Sequence, residues 1–188
     1  TDLLLAMGAE LHYFSPLADS QLPPADALWL PGGYPELHGS TLANNTAMAD
    51  AIRGFYDAGK PILAECGGLM ACAEELSDKE GVVHSLFGLV PGRSAMAKRL
   101  QGLGMHSLTA EQGELRGHTF HRSTLDTSWQ PAARTHKQAG TGGEAVFWQN
   151  GLVASYFHGY FPSAPRLVAA IFRGQSLTFP SNSEKDHA

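Results

Sequence analysis

Cys66 is the residue of this sequence best placed to act as a nucleophile. The apolar run Pro61–Ala64 predicts a buried parallel strand, and two glycines after Cys66 lead into a helical pattern over Leu69–Leu76. A strand, a sharp turn with the nucleophile, glycines and a helix form a nucleophile elbow, here with sulfur in place of oxygen. The helix start offers free N–H groups and a positive dipole end, so we expect a lowered thiol pKa.

A second cysteine, Cys72, provides an internal comparison. It falls inside the same helical pattern with no turn-forming residues around it, and we interpret it as a core residue. A buried structural thiol is also the alternative for Cys66, because free cysteines are among the most buried residues in proteins. The neighbouring glycines and the abrupt change from strand to helix favour the catalytic interpretation.

The composition is that of an ordinary globular protein. The chain has 188 residues, enough for one well-buried α/β domain, with 43% hydrophobic and 16% charged residues. A formal net charge of −5 and the lack of a basic stripe argue against a nucleic-acid partner. No run approaches the ~18 apolar residues that cross a bilayer. A working thiol needs a reducing compartment, so we expect a cytoplasmic protein without a membrane partner.

The first part of the chain predicts strands that alternate with helices. In order we expect a helix end, two strands and a helix, at Leu3–Met7, Glu10–Phe14, Ala27–Leu30 and Thr46–Asp57. Gly8 is expected to cap the first helix, and Asn44 or Asn45 the second. This alternation indicates a parallel sheet with right-handed crossovers. The chain opens inside an apparent helix and lacks an initiating Met, so we expect a piece of a longer polypeptide.

The segment after the strand at Ala27–Leu30 is a candidate ligand-binding loop. Gly32 and Gly33 lie between Pro31 and Pro35 at the carboxyl end of that strand. Ligands in open α/β sheets bind at this edge, where backbone N–H groups can point at them. An ordinary strand-to-helix turn is the alternative.

The second half of the chain has strand-like alternation broken by turn signals. Strands are expected over Arg93–Ala110, Glu114–Thr124, Glu144–Trp148 and Leu152–Phe157, the last two joined by the hairpin turn Asn150-Gly151. His158 follows at a strand's carboxyl end. Ser163 is predicted to cap a last helix over Ala164–Phe172, and the polar residues 174–188 are expected to form a flexible tail beyond the domain at 1–173.

Three histidines, His118, His121 and His136, lie within twenty residues of one another. A metal site is one interpretation, but no HxxxH helix or Cys/His pairing surrounds them. We therefore expect no metal, and instead a polar strand that faces a ligand.

Cys66 and His158 can form the catalytic pair of a thiol mechanism. Such a mechanism needs a thiolate, a base that takes and returns its proton, and donors for an oxyanion. The backbone N–H groups of Gly33 and Gly67 can be those donors, because each lies at the predicted carboxyl edge of the sheet.

These residues resemble, in order and spacing, the class I glutamine amidotransferase domain. Four motifs look like the glutaminase domains of cobyrinic and hydrogenobyrinic acid a,c-diamide synthases: Gly32–His38, Glu65–Met70, Gly117–His121 and Tyr156–Phe161. The resemblance spans roughly residues 9–173. It implies a flavodoxin-like α/β fold, with a mostly parallel central sheet flanked by helices and antiparallel additions in the C-terminal half.

The resemblance also implies roles. Cys66 would attack the side-chain amide of glutamine, and His158 would take the thiol proton and give one to ammonia. The oxyanion and the glutamine would be held by Gly33, Gly67, Gly32 and Tyr34. Residues that would line the pocket or face another domain are His118, His121 and Ser123.

The acceptor chemistry would belong to another domain. Ammonia would pass to an N-terminal synthetase domain that uses ATP and magnesium to amidate the a and c carboxylates of cobyrinic or hydrogenobyrinic acid. Nothing in this chain matches the GxxxxGK[ST] phosphate loop, so no cofactor is expected in this domain.

Two positions depart from the family pattern. Many class I amidotransferases have a glutamate two residues after the histidine, where this sequence has Tyr160. Either the Cys-His pair works alone or another group orients His158. Arg122 stands where an aromatic residue is expected, so its strand is assigned to the pocket or a domain face.

Three other functions fit the same residues. One is the glutaminase domain of cobyric acid synthase, although the motif Gly-Gly-Tyr-Pro-Glu-Leu favours the a,c-diamide enzymes. A thiol peptidase or esterase on a similar scaffold is another. The third is a non-catalytic binding or sensor module with a reactive cysteine.

Overall fold

The computed structural model describes residues 1–138 and 142–180. The helices are α1 (Asp2–Ala6), α2 (Gly39–Asn44), α3 (Thr46–Asp57), α4 (Gly67–Cys72) and α5 (Pro165–Phe172), with 3-10 turns at Pro35–Leu37 and Phe161–Ser163. The strands are β1 (Leu28–Leu30), β2 (Ile62–Glu65), β3 (Ala73–Ser77), β4 (Val83–Ser85), β5 (Val90–Met96), β6 (Gly102–Ala110), β7 (Gly113–His121), β8 (Ser123–Asp126), β9 (Ala133–Arg134), β10 (His136–Lys137), β11 (Ala145–Gln149), β12 (Leu152–Ser155) and β13 (His158–Gly159).

The central sheet has the strand order β1-β2-β12-β11-β9. Strand β2 lies in the middle of three parallel strands, paired with β1 and β12, and all four of its residues are buried. This explains why the sequence before Cys66 is a continuous apolar run. Strands β11 and β9 extend the sheet in antiparallel fashion, so the predicted fold class is confirmed.

Alternate residues of β2 face two different hydrophobic clusters. Ile62 and Ala64 belong to a cluster that includes Met48 of α3 and Leu69 of α4, whereas Leu63 belongs to a cluster with the buried face of α5. Because successive side chains of a strand point to opposite faces, α3 and α4 cover one face of the sheet and α5 covers the other.

Two smaller sheets flank the carboxyl end of this core. One has the order β10-β6-β7-β13 and is built on the long antiparallel pair β6 and β7. The other has the order β4-β3-β5-β8. These are the expected antiparallel additions, apart from β3 and β5, which run parallel.

Several local predictions are confirmed by backbone geometry. Asn150 and Gly151 have φ values of 47° and 81° and join β11 to β12, as their turn chemistry requires. Asn45 caps α3, its side-chain oxygen accepting a hydrogen bond from the Met48 N–H at 3.3 Å. Gly8, with φ 86°, follows the end of α1.

Several element predictions are wrong. The segment Arg93–Ala110 holds the two strands β5 and β6, and Glu114–Thr124 is divided between β7 and β8. Glu10–Phe14 is not a strand, and its hydrophobic Tyr13 is 80% exposed, so the apolar pattern there has no sheet to join. The helix after Cys66 ends at Cys72, and Ala73–Ser77 forms β3 instead, because pairing with β4 and β5 overrides the helical propensity of that segment.

The predicted cap of the last helix also needs correction. Ser163 does not cap α5; its hydroxyl donates to the Tyr160 carbonyl and accepts from the Arg116 N–H, and Ala164 stands at the cap position. Within the described part of the expected tail, 174–180, Leu177 is buried and Phe179 packs against Trp148, whereas most of the other residues are exposed. The rest of the expected tail, 181–188, lies outside the described residues.

Candidate active site

Cys66 occupies the sharp turn between β2 and α4. Its backbone has φ 50° and ψ −104°, a region that L-residues rarely enter. Two hydrogen bonds hold this conformation: the Cys66 N–H donates to Ser155 at 2.8 Å, and the Cys66 carbonyl accepts from Met70 at 3.0 Å. Strained backbone of this kind is concentrated at functional sites, because the surrounding structure must stabilise it.

The glycines after Cys66 allow two backbone segments to touch. A Cβ at Gly67 would overlap the backbone of Gly33, and one at Gly68 would overlap the Leu30 carbonyl. The start of α4 therefore packs directly against the loop that follows β1. As a result, Gly33 and Gly67, the two predicted oxyanion donors, are in contact.

His158 is the first residue of β13, a separate short strand, and does not end the strand expected over Leu152–Phe157, which stops at Ser155. It pairs with His118 of β7, and the two imidazole rings stack with centroids 5.0 Å apart and an interplanar angle of 15°. On another side, a Cβ at Gly32 would stand 2.5 Å from Cε1 of His158. The imidazole is therefore held between the glycine loop and His118.

A cavity of about 640 Å³ unites most of the predicted site residues. The glycine loop contributes Gly32, Gly33 and Tyr34 to its lining, and the predicted catalytic pair contributes Cys66 and His158. His118, His121 and Ser123 line it as well, whereas Gly67 lines an adjoining apolar cavity of about 260 Å³. His136 lies on β10 and lines neither.

Glu65 fixes the segment that carries His158. One carboxylate oxygen accepts from the Gly159 N–H at 2.8 Å, and the other accepts from Trp29 Nε1 at 2.8 Å. Burial raises the pKa of this carboxyl, and the two hydrogen bonds oppose that rise. Tyr160, at the position of the family glutamate, is 64% exposed and does not line the cavity. Glu65 therefore ties the strand that precedes Cys66 to the residue that follows His158.

The electrostatics correct one expectation. Burial raises the pKa of the Cys66 thiol to about 11; the Gly67 N–H lowers it, but the charges of Glu36, Glu144 and Glu65 raise it further. The expected lowered pKa of the Cys66 thiol is therefore wrong, because burial outweighs the N-terminus of the short helix α4. Burial, followed by the neighbouring His118 and His121, lowers the pKa of His158, which favours a neutral imidazole able to accept a proton.

Glu144 contacts His121 of the cavity lining, and sequence reasoning missed this contact. Its carboxylate lies 3.2 Å from Nε2 of His121, whose Nδ1 is 2.8 Å from the Ser123 carbonyl oxygen and therefore donates to it. The His121 ring also stacks on Tyr156 with centroids 3.9 Å apart. Burial alone would raise the pKa of Glu144, but the hydrogen bonds from His121 and Thr119 lower it overall. No local signal marks Glu144, because the pairing joins β7 to the start of β11.

The described part of the chain contains neither a metal-binding cluster nor a membrane-spanning helix. No group of three or more His, Cys, Asp or Glu side chains is placed to hold a metal ion. Within the same ranges, every helix is too short or too polar to span a bilayer.

The chain is similar to known proteins over nearly its whole length. The family described as the CobB/CobQ-like glutamine amidotransferase domain matches residues 1–165. The chain is 50% identical over 173 residues to a cobyrinate a,c-diamide synthase of Herminiimonas arsenicoxydans, covering 91% of this chain and 40% of that protein. It is 51% identical over 171 residues to a hydrogenobyrinate a,c-diamide synthase of Pseudomonas aeruginosa, covering 90% and 39%.

These relatives are longer proteins, of which the chain spans about 40%. A solved structure described as a glutamine amidotransferase matches the fold with a TM-score of 0.64 at 18% identity. That match covers 92% of this chain and 90% of the other. At this identity the likeness is one of fold alone.

Proposed function

The chain belongs to the CobB/CobQ-like glutamine amidotransferase family, and from this premise we propose that it is the glutaminase domain of a cobyrinate or hydrogenobyrinate a,c-diamide synthase. The observation that carries the proposal is the shared cavity of Cys66 and His158. The contact between Gly33 and Gly67 at its edge supports an oxyanion site there.

The proposed reaction is hydrolysis of glutamine through a thioester. Cys66 Sγ attacks the side-chain carboxamide carbon while His158 takes the thiol proton. The carbonyl oxygen becomes an oxyanion held by the N–H groups of Gly33 and Gly67. The C–N bond then breaks, and His158 returns the proton to the departing ammonia. Water, deprotonated by His158, cleaves the γ-glutamyl thioester, releasing glutamate and restoring the thiol.

The protonation states support transfer of the proton at the moment of attack. A thiol with a pKa of about 11 is protonated at neutral pH, and the lowered pKa of His158 keeps the imidazole neutral. The pair therefore begins as thiol and imidazole rather than as a preformed thiolate. Substrate binding that excludes water and brings an amide against Gly33 and Gly67 favours the charged transition state.

The ammonia would be used by a synthetase region of the kind expected beside this domain. Relatives named for a,c-diamide synthesis are about two and a half times as long as the matched segment, which leaves room for an ATP- and magnesium-dependent domain. Cobyrinic or hydrogenobyrinic acid would be the acceptor. The full polypeptide should then couple glutamine hydrolysis to amidation of two carboxylates.

The test is to follow products from glutamine and from a panel of glutamine-containing peptides. We expect equal amounts of ammonia and glutamate from free glutamine and no peptide cleavage. The electrophile 6-diazo-5-oxo-L-norleucine should alkylate Cys66, with loss of dinitrogen, and peptide mapping should locate the adduct. A folded protein that cleaves peptides, or one whose Cys66 is never alkylated, would contradict the proposal.

A further inference from the structure

The imidazole of His158 has no carboxylate partner among the described residues. Many class I amidotransferases place a glutamate two residues after this histidine, where the chain has Tyr160. Three other histidines do have a carboxylate oxygen beside a ring nitrogen: His12, His84 and His121. The ring of His158 lies instead between His118 and the glycine loop. A group that replaces the family glutamate must therefore act through the backbone that carries the imidazole.

Glu65 reaches that backbone from inside the core. It is the last residue of β2, and because alternate residues of a strand share a face, its side chain lies on the side of Leu63, toward the cluster that includes α5. The residue is only 6% exposed. Burial of a carboxyl in apolar surroundings is costly unless hydrogen bonds compensate, and here its oxygens accept from Trp29 Nε1 and the Gly159 N–H. One of the two compensating bonds is thus made to the residue after His158.

The short strand β13, which carries His158, is fixed along both of its edges. On one edge it pairs with β7, and the Tyr160 N–H just beyond it donates to the Arg116 carbonyl at 2.7 Å. Successive N–H groups of a strand point to opposite edges, so the Gly159 N–H points away from β7. At that second edge its hydrogen bond to Glu65 takes the place of a neighbouring strand.

Trp29 strengthens the same connection from β1. Its ring packs against Phe161 with centroids 5.0 Å apart, while its Nε1 donates to Glu65 at 2.8 Å. The segment from His158 to Phe161 is therefore held to the two parallel strands β1 and β2, from which the glycine loop and the Cys66 turn emerge.

We propose that Glu65 is a positioning residue for His158, which holds the imidazole in the cavity of Cys66 by fixing the backbone after it. This inference rests on the proposed function and deepens it, because it names a group that does the work of the missing family glutamate by another route. Glu65 directly precedes Cys66, so one side chain ties the nucleophile and its base to the same point of β2. Displacement of a catalytic group by about 1 Å can cost about 100-fold in rate, so loss of this tie should lower kcat rather than raise KM.

The experiment is done in the full chain with Trp29→Phe as the background. This change keeps an aromatic ring against Phe161 and removes the Nε1 donor, which leaves the Gly159 N–H as the donor to position 65. In that background Glu65→Gln still offers an acceptor oxygen to Gly159, whereas Glu65→Leu offers none. The comparison thus isolates one hydrogen bond.

We expect the Trp29→Phe chain to hydrolyse glutamine with nearly the same kcat whether position 65 is Glu or Gln. Glu65→Leu in the same background should lower kcat roughly 10- to 100-fold and leave KM within about threefold. A residue that only stabilised the fold would not restore kcat through an amide oxygen alone. Urea denaturation checks that each variant is folded.

Glu74 provides a matched control in the sheet β4-β3-β5-β8. Its carboxylate accepts from the Gly92 N–H at 2.7 Å, and it lines neither cavity. Glu74→Leu removes the same kind of bond and should leave kcat unchanged.

Equal kcat values for Gln and Leu at position 65, or a loss confined to KM, would overturn the inference. So would a loss at Glu74→Leu as large as that at Glu65→Leu. If the Leu variant does not fold, Glu65→Asp replaces it: its carboxylate is one methylene shorter, kcat should fall about tenfold, and an unchanged kcat would be the contrary result. A wild-type chain that neither hydrolyses glutamine nor is alkylated at Cys66 would instead contradict the proposed function, and this inference with it.

Discussion

Helix α4 has a cysteine at each end, and the two ends differ in almost everything except burial. Cys66 stands just before the helix and Cys72 is its last residue. Burial raises the pKa of both thiols, to about 11 for Cys66 and to about 12 for Cys72. The pKa of the thiol therefore does not distinguish a candidate nucleophile from a core residue.

The difference lies in the backbone and in what each sulfur can reach. Cys66 has a positive φ and lines a cavity shared with His158, whereas Cys72 is fully enclosed in the hydrophobic cluster beneath the helix. Reactivity at Cys66 must then come from access and from a base that accepts the proton on demand. Variants that remove or disturb these features should therefore affect activity differently at the two ends of the helix.

The largest expected effect is the loss of the nucleophile. Cys66→Ala should lower ammonia release from glutamine by at least about 1,000-fold, because no other described thiol lines the cavity. Cys72→Ala should leave the rate within a few-fold and instead lower the free energy of unfolding by about 1–2 kcal/mol, since it removes a fully buried sulfur. Ammonia release and urea denaturation measure the two effects.

Cys66→Ser provides the conservative control for this pair. It keeps the size of the side chain and should fold normally, yet it should be nearly as inactive as Cys66→Ala. Equal losses of activity at positions 66 and 72, in folded proteins, would show that the wrong cysteine has been identified.

The next effect concerns the close contact at the start of α4. Gly67→Ala would drive a methyl group into the Gly33 backbone, so the two segments must separate. We expect a loss of about 1–3 kcal/mol in stability and roughly 100-fold in kcat, as the proposed oxyanion donors move apart.

Gly54→Ala is the matched substitution in another helix. A Cβ at Gly54, inside α3, would meet nothing within 4 Å. This variant should keep its activity and gain up to about 1 kcal/mol from helix propensity. If both alanine variants behave alike, the contact between Gly33 and Gly67 is not what restrains α4.

Features encoded by a few neighbouring residues could be predicted from the sequence. Asn150 and Gly151 define their own hairpin turn, and Asn45 caps α3 through its own side chain. The turn at Cys66 followed from the strand, the glycines and the helix that surround it. These predictions needed only local chemistry, so the tertiary structure had little opportunity to override them.

Features that depend on distant partners could not be predicted. Ala73–Ser77 has helical composition but becomes β3 because two other strands pair with it. The direction of the Glu65 carboxylate is set by Trp29 and Gly159, which are far away in the sequence. Glu144 reaches His121 only because the end of β7 lies beside the residue that precedes β11. In each case the deciding contact is long-range, and no spacing rule encodes it.

The smallest expected effect is a shift in the pH dependence of glutamine hydrolysis. It tests whether His158 serves Cys66 as the proton acceptor that Cys72 lacks. In the proposed reaction activity requires neutral His158, whose lowered pKa should place the acid limb of kcat/KM below about 6.5, the ordinary value for histidine. The unfolded imidazole binds protons more tightly, so stability should also fall as pH drops below that value. His118→Gln removes one of the neighbouring charges that lower this pKa, so its acid limb should move to higher pH. Cys72→Ala should leave the profile in place. An acid limb at or above about 6.5 in the wild type would contradict a neutral imidazole as the proton acceptor.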